Sequence, residues 1–119
     1  MNDPNTIQGW EINLKDYHVQ VGEKPNGEPI LDRYDVKGSM VALLFQPRLE
    51  LTIEQAFEMK DLADKIRKAN GSIILDQSDY QRLKRAYNAM RSPAEQDLEL
   101  FSRIRDAKQI QINTRKPKK

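Results

Sequence analysis

The sequence predicts an α+β fold in which an N-terminal antiparallel β-hairpin packs against three to four α-helices. Three observations predict it. Apolar residues alternate with polar ones between Trp10 and Tyr34, with the turn pair Asn26-Gly27 inside that stretch. From Thr52 onward the apolar spacing changes to three and four, bounded by helix-capping residues. Strand-type segments come first and helix-type segments follow, the order expected of an antiparallel sheet with helices on one side.

In the first strand, Trp10, Ile12 and Leu14 share one face and Glu11, Asn13 and Lys15 the other. The phase then slips, because Tyr17, Val19 and Val21 form the next apolar set; a bulge or bend is expected near Lys15-Asp16. Gly22 to Pro29 is dense in turn residues, and Ile30 to Tyr34 is the return strand, so residues 10–34 are read as the hairpin. Its edge is free to pair with another strand. Asp35 caps a short buried helix over Val36 to Gln46, which ends at Pro47; Met40 to Phe45 is rich in helix formers.

The best-defined element follows. Thr52 and Gln55 make a capping box, Asn70-Gly71 a left-handed stop, and about seventeen helical residues lie between. Ser72 to Leu75 reads as a short strand or connector. Asp76 and Ser78 compete to cap a helix that runs to about Arg91 and buries Tyr80, Leu83, Tyr87 and Met90. Ser92-Pro93-Ala94-Glu95 predicts a last helix with a Ser cap, Pro at the first position and the apolar stripe Ala94, Leu98, Phe101 and Ile104. Gln109 to Asn113 returns to alternation, as a third strand or an extension of the helix end. The organisation expected is a flexible N-terminus at 1–9, one domain at 10–113 and a flexible basic tail at 114–119.

Composition narrows the function classes. The chain is 119 residues long, 38% apolar and 32% charged, with three Phe and one Trp, so one small core rich in Leu and Ile is expected. The net charge of +2 is uneven: Arg115, Lys116, Lys118 and Lys119 supply four cations, leaving the rest of the chain at −2. There is no cysteine, hence no disulfide or thiolate chemistry, and one histidine, His18, in the hairpin. A single histidine without cysteines makes neither a zinc site nor a nucleophile–base pair, and no phosphate-cradling glycine loop is present. Asp61-Asp64 and Asp76-Asp79 stand at ordinary helix-surface and cap spacing, not at a magnesium site. The expectation is a non-enzymatic chain with no cofactor, no metal and no small-molecule substrate. The longest apolar run is six residues and Met1-Asn-Asp-Pro lacks a secretory start, so neither a membrane span nor secretion through a signal peptide is expected.

Two candidate surfaces remain. On the central helix, Met59, Leu62, Ala63, Ile66 and Ala69 fall on one broad face, while Ile53 and Phe57 fall on the other side among charged residues. One face cannot bury both sets against one neighbour. Either Ile53 and Phe57 pack on the 40–51 segment, or together with Phe45 they anchor a protein partner or self-association. The second surface is basic: Arg82 and Arg85 with Arg115, Lys116, Lys118 and Lys119 could contact nucleic-acid phosphates. No recognition helix or aromatic stacking platform accompanies them.

The run Tyr34-Asp-Val-Lys-Gly-Ser-Met-Val-Ala-Leu-Leu-Phe45, continued through the central helix to Asp76-Gln-Ser-Asp-Tyr-Gln-Arg-Leu-Lys84, resembles small proteins of tailed bacteriophages. In those a leading hairpin precedes the same helix, turn, helix order, and the likeness covers roughly residues 12–105. It implies a non-enzymatic accessory or virion-assembly role, in a neck, tail or other structural part, acting through protein contacts. It implies no particular site residues, and the basic tail is not part of it. The alternatives are a nucleic-acid-associated protein that binds through its tail and the Tyr80 helix, and an inhibitor of a host protein.

Overall fold

A computed structural model describes residues 6–113. Within them lie five strands and four helices: β1 Thr6–Asn13, β2 Tyr17–Glu23, β3 Pro29–Tyr34, α1 Val36–Leu44, α2 Ile53–Lys68, β4 Ser72–Asp76, α3 Gln77–Ala89, α4 Leu98–Arg105 and β5 Lys108–Asn113. The fold is α+β, as the patterning implies. Its strand pairing differs from the expectation. β1 does not join the hairpin; it is the centre of a three-stranded antiparallel sheet ordered β4-β1-β5. The hairpin is β2–β3 alone, a separate two-stranded sheet.

The break between them has a local cause. After Asn13 the chain leaves the sheet: the Asn13 side-chain oxygen accepts from the Lys15 N–H at 2.8 Å, and Leu14 N–H donates to the Gly71 carbonyl at 2.8 Å. Arg103 then donates from one guanidinium nitrogen to the carbonyls of Asn13 and Lys15, 3.2 and 2.6 Å away. Asp16 accepts from the Val36 N–H at 2.9 Å. These bonds satisfy the backbone at the crossing and turn β2 away from β1. β1 also begins at Thr6, earlier than the alternation at Trp10 suggests, because Lys108–Asn113 pairs with it as β5.

One core joins the layers. Ile12 of β1, Leu14 just beyond it, and Ile73 and Leu75 of β4 meet Met40 and Leu44 of α1, Met59, Leu62 and Ile66 of α2, Leu83 of α3, and Leu100 and Ile104 of α4. Trp10 stacks on Tyr80 of α3, centroids 4.8 Å apart. The opposite sheet face carries Glu11, with Ile74 and Lys108 as its cross-strand neighbours.

Asp35 caps α1 by accepting from the Gly38 N–H at 3.0 Å. Gly38, which weakens the helical pattern in sequence, is what lets that carboxylate approach: a Cβ there would collide with it. α2 has the expected capping box, with both Thr52–Gln55 bonds present. It ends at Lys68, and a tight turn centred on Gly71 follows, φ +75°, closed by the Ser72 N–H on the Asn70 carbonyl at 2.8 Å. Asp76, not Ser78, caps α3. In α3, Leu83 is buried as expected, whereas Tyr80, Tyr87 and Met90 are only partly covered.

The last helix departs from the expectation. Ser92 takes a left-handed φ of +53° and does not cap. Residues Glu95–Asp97 form a 3₁₀ turn, stapled by the Asp97 carboxylate accepting from the Ala94 N–H at 3.0 Å, and α4 starts only at Leu98. Of the expected stripe, Ile104 is buried and Phe101 packs on the core, but Leu98 is 52% exposed and Leu100 is buried in its place.

Candidate functional site

α2 presents two faces. Met59, Leu62, Ala63 and Ile66 are buried in the core, and Ala69 is partly buried. On the opposite side Ile53 is 76% exposed and Phe57 60% exposed, with Phe45, at the end of α1, 42% exposed beside them. The three expected anchor residues therefore meet. With Ala56 and Lys60 they line a shallow depression of about 300 Å³.

The segment at 40–51 leaves this patch open for a physical reason. The Gln46 amide donates to the Leu43 carbonyl at 3.0 Å and to Ala86 of α3 at 2.8 Å, so the connector is drawn toward α3. Leu49 turns into the core, and Arg85 donates to its carbonyl at 3.4 Å. Glu50 then adopts φ +48°, ψ +51°, reversing the chain into the Thr52 cap without crossing the first turn of α2. Of the 40–51 segment only Phe45 meets Ile53 and Phe57, so that segment, the first of the two sequence alternatives, leaves both largely exposed.

Charge borders the patch in an ordered way. Glu54 and Lys60 stand three residues before and after Phe57, both exposed. Lys60 is held by Asp64, Nζ to Oδ2 2.7 Å, and Arg67 donates to the same carboxylate at 2.9 Å. The Lys60 hydrogen bond foremost, helped by Arg67, holds the Asp64 carboxyl below its usual range.

The second apolar surface is on the hairpin. Val21, Ile30 and Leu31 are 53%, 41% and 58% exposed, because β2–β3 has no partner sheet. Only its root is tied down, through Tyr17 and Tyr34. The sequence showed the alternation and could not show that nothing covers it.

The basic candidates are not assembled into one surface. Arg82 is spent on Asp79 at 2.9 Å and Glu58 at 3.3 Å, and Arg85 leans on the Leu49 carbonyl. Asp79 is 4% exposed and also receives Lys65 of α2 at 2.6 Å, so Arg82 belongs to a structural tie between α2 and α3. Arg115, Lys116, Lys118 and Lys119 lie outside the described residues. His18 sits exposed on β2, opposite Arg33. Among the described residues no group of three or more His, Cys, Asp or Glu is placed to hold a metal ion, and no helix is long and apolar enough to cross a membrane.

Lys60 is one of the charged residues that the helical phase sets beside Ile53 and Phe57; sequence reasoning missed Ala56, whose signal is its place three residues after Ile53.

Compared with known proteins, the chain matches no family model, no curated protein and no solved structure.

Proposed function

We propose that this chain is a non-enzymatic protein-interaction module that docks through Phe45, Ile53 and Phe57, and that it serves as a structural, neck, tail or assembly accessory protein of a tailed phage. The observation that carries the reading is the meeting of these three large apolar side chains in one exposed depression. Scattered exposed apolar residues are normal; a cluster holding two Phe and an Ile beside ordered charges is the composition of a binding anchor. The phage assignment draws on the sequence resemblance, and the order hairpin, α1, α2, β4, α3 supports it. An inhibitor of a host protein would use the same surface. The nucleic-acid reading draws no support from Arg82 and Arg85, which are engaged within the fold.

The test is capture by the immobilised chain, comparing the native sequence with Phe57→Ala. The reading expects a folded variant with at least about tenfold weaker capture, as for a central anchor residue. Unchanged folding, oligomeric state and capture would remove Phe57 as an anchor. Light scattering on the eluted protein sorts the roles: a ring or defined oligomer favours a virion component, and a monomer favours an adaptor or inhibitor.

A further inference from the structure

We infer that Asn26, at the tip of the β2–β3 hairpin, is a site of covalent modification, and that the fold selects it over Asn70. Its side-chain amide is converted to a carboxylate through a cyclic imide formed with the Gly27 backbone nitrogen. The sequence holds two Asn-Gly pairs, Asn26-Gly27 and Asn70-Gly71, and the same chemistry applies to both. The glycine nitrogen gives up its proton and attacks Cγ of the asparagine. A C–N bond forms, the Cγ–Nδ2 bond breaks, and the departing nitrogen takes up a proton and leaves as ammonia, which closes a succinimide ring. Water then opens the ring at either carbonyl, giving aspartate or, with the main chain lengthened by one carbon, isoaspartate. Glycine favours the attack because no Cβ shields its nitrogen. The rate then depends on how easily the backbone swings that nitrogen onto Cγ.

At Asn26 the hold is slight. Asn26 and Gly27 are both exposed, in a turn where Gly27 has φ +88° and open space around its α-carbon. The Glu28 N–H donates to the Asn26 side-chain oxygen at 3.0 Å, drawing electron density from the carbonyl that is attacked. The Gly27 N–H donates to the Lys24 carbonyl at 2.8 Å and the Lys24 N–H to the Glu28 carbonyl at 2.7 Å. The first of these must break before the nitrogen can attack. Both join exposed groups at the free end of a two-stranded sheet, where bonds open locally without unfolding the chain. The exposed Lys24–Glu28 ion pair adds little. Asn70 is exposed as well, but its turn is built into the fold. α2 ends just before it at Lys68, and β4 begins just after it at Ser72. The Gly71 carbonyl accepts from the Leu14 N–H at 2.8 Å, and Ser72 pairs with Asn13 of β1. Turning the Gly71 nitrogen onto the Asn70 side chain therefore loosens β4 from β1, between the buried Ile66 and Ile73. Conversion at Asn26 adds a negative charge beside Glu28. In the isoaspartate form it also adds a main-chain atom to the turn that sets the β2–β3 register.

The experiment is tryptic peptide mapping by mass spectrometry after incubating the full chain at mildly alkaline pH, once folded and once in guanidinium chloride. Trypsin places the two pairs in separate peptides, residues 16–33 and 69–82, because the bond between Lys24 and Pro25 resists cleavage. In the folded chain, peptide 16–33 is expected to show the exchange of NH2 for OH at least about tenfold faster than peptide 69–82, since a surface turn opens more readily than a core strand. In denaturant the two peptides are expected to convert within about threefold of each other. Asn26→Gln, whose longer side chain has to close a larger and less favoured ring, is expected to abolish the exchange in 16–33 and leave 69–82 unchanged. Equal rates in the folded chain, or a faster Asn70, overturn the assignment. A preference of the same size in denaturant overturns it too, because the neighbouring sequence and not the fold would then be its cause.

Discussion

The Tyr17 and Tyr34 rings stack with centroids 4.6 Å apart and planes 12° from parallel, at the root of the β2–β3 hairpin. The Tyr17 hydroxyl donates to the Gln96 carbonyl at 2.6 Å and accepts from the Leu100 N–H at 3.3 Å. The Tyr34 hydroxyl donates to Asp97 at 2.5 Å. A hairpin without a partner sheet is marginal in water, so these bonds to the α4 entry fix where it points. Tyr34→Phe keeps the stack and loses the bond to a carboxylate. It is expected to cost about 1 to 2 kcal/mol in urea unfolding, with little change in the circular dichroism of the native state.

The same tyrosines predict alkaline sensitivity. Burial foremost, and for Tyr34 the bond to Asp97 next, raise the phenol pKa of Tyr17 and Tyr34 above the ordinary 10.0; burial raises Tyr80 likewise. Above that value the unfolded chain releases phenolic protons that the folded chain still holds, so stability falls as pH rises. Below it the contribution is fully present. Melting temperatures should hold from neutral to about pH 10 and then decline, and Tyr34→Phe should decline less steeply.

Gly38 offers a second check. Replacing an exposed helical Gly by Ala normally stabilises by about 1 kcal/mol. Here the new Cβ displaces the Asp35 carboxylate from its cap, at a cost of similar size. Gly38→Ala alone is expected to gain almost nothing. In an Asp35→Ala background, where no cap remains to disturb, the same change is expected to stabilise by about 1 kcal/mol. Equal gains in both backgrounds would contradict the capping geometry.

Asp79 is the one buried charge among the buried residues described, and Lys65 and Arg82 both reach it. Its hydrogen bond foremost raises the Lys65 pKa above the ordinary lysine value. Lys65→Met leaves Arg82 to hold the carboxylate and is expected to cost about 1 kcal/mol; removing both cations strands the charge and is expected to cost about 3 kcal/mol or more. Chemical denaturation of the single and double variants measures both.

The basic tail is tested by deletion of residues 114–119. The interaction reading expects unchanged partner capture and no salt-dependent gel shift with DNA or RNA at moderate salt. A shift that weakens with added salt and disappears on deletion would favour the nucleic-acid alternative.

Local signals carried much of the fold. The Thr52–Gln55 box, the Asp35 cap and the Asn26-Gly27 turn each depend on neighbours within four residues, and each forms. The helical phase of α2 also separates Met59, Leu62 and Ile66 from Ile53 and Phe57 in the sequence alone. The partners of β1 were legible only in part: Gln109 to Asn113 read as a possible third strand and forms β5, but the pairing of β1 with β4 in place of β2 did not show. Alternation shows which residues share a face, whereas pairing with β4 and β5 rests on contacts some sixty to a hundred residues away. The late start of α4 was not legible, because Ser92-Pro93 mimics a cap that the left-handed Ser92 does not make. The exposure of Phe57 lay between: its face was legible, but the Gln46 bonds that draw the connector to α3 were not.

The most direct measurement is Phe57→Asp, followed by thermal unfolding and by assembly on the same sample. An exposed anchor predicts a stability change within about 0.5 kcal/mol of native, together with loss of self-association or partner capture. Loss of about 3 kcal/mol or more would mean that Phe57 supports the core; native stability with unaltered assembly would mean that the patch docks nothing.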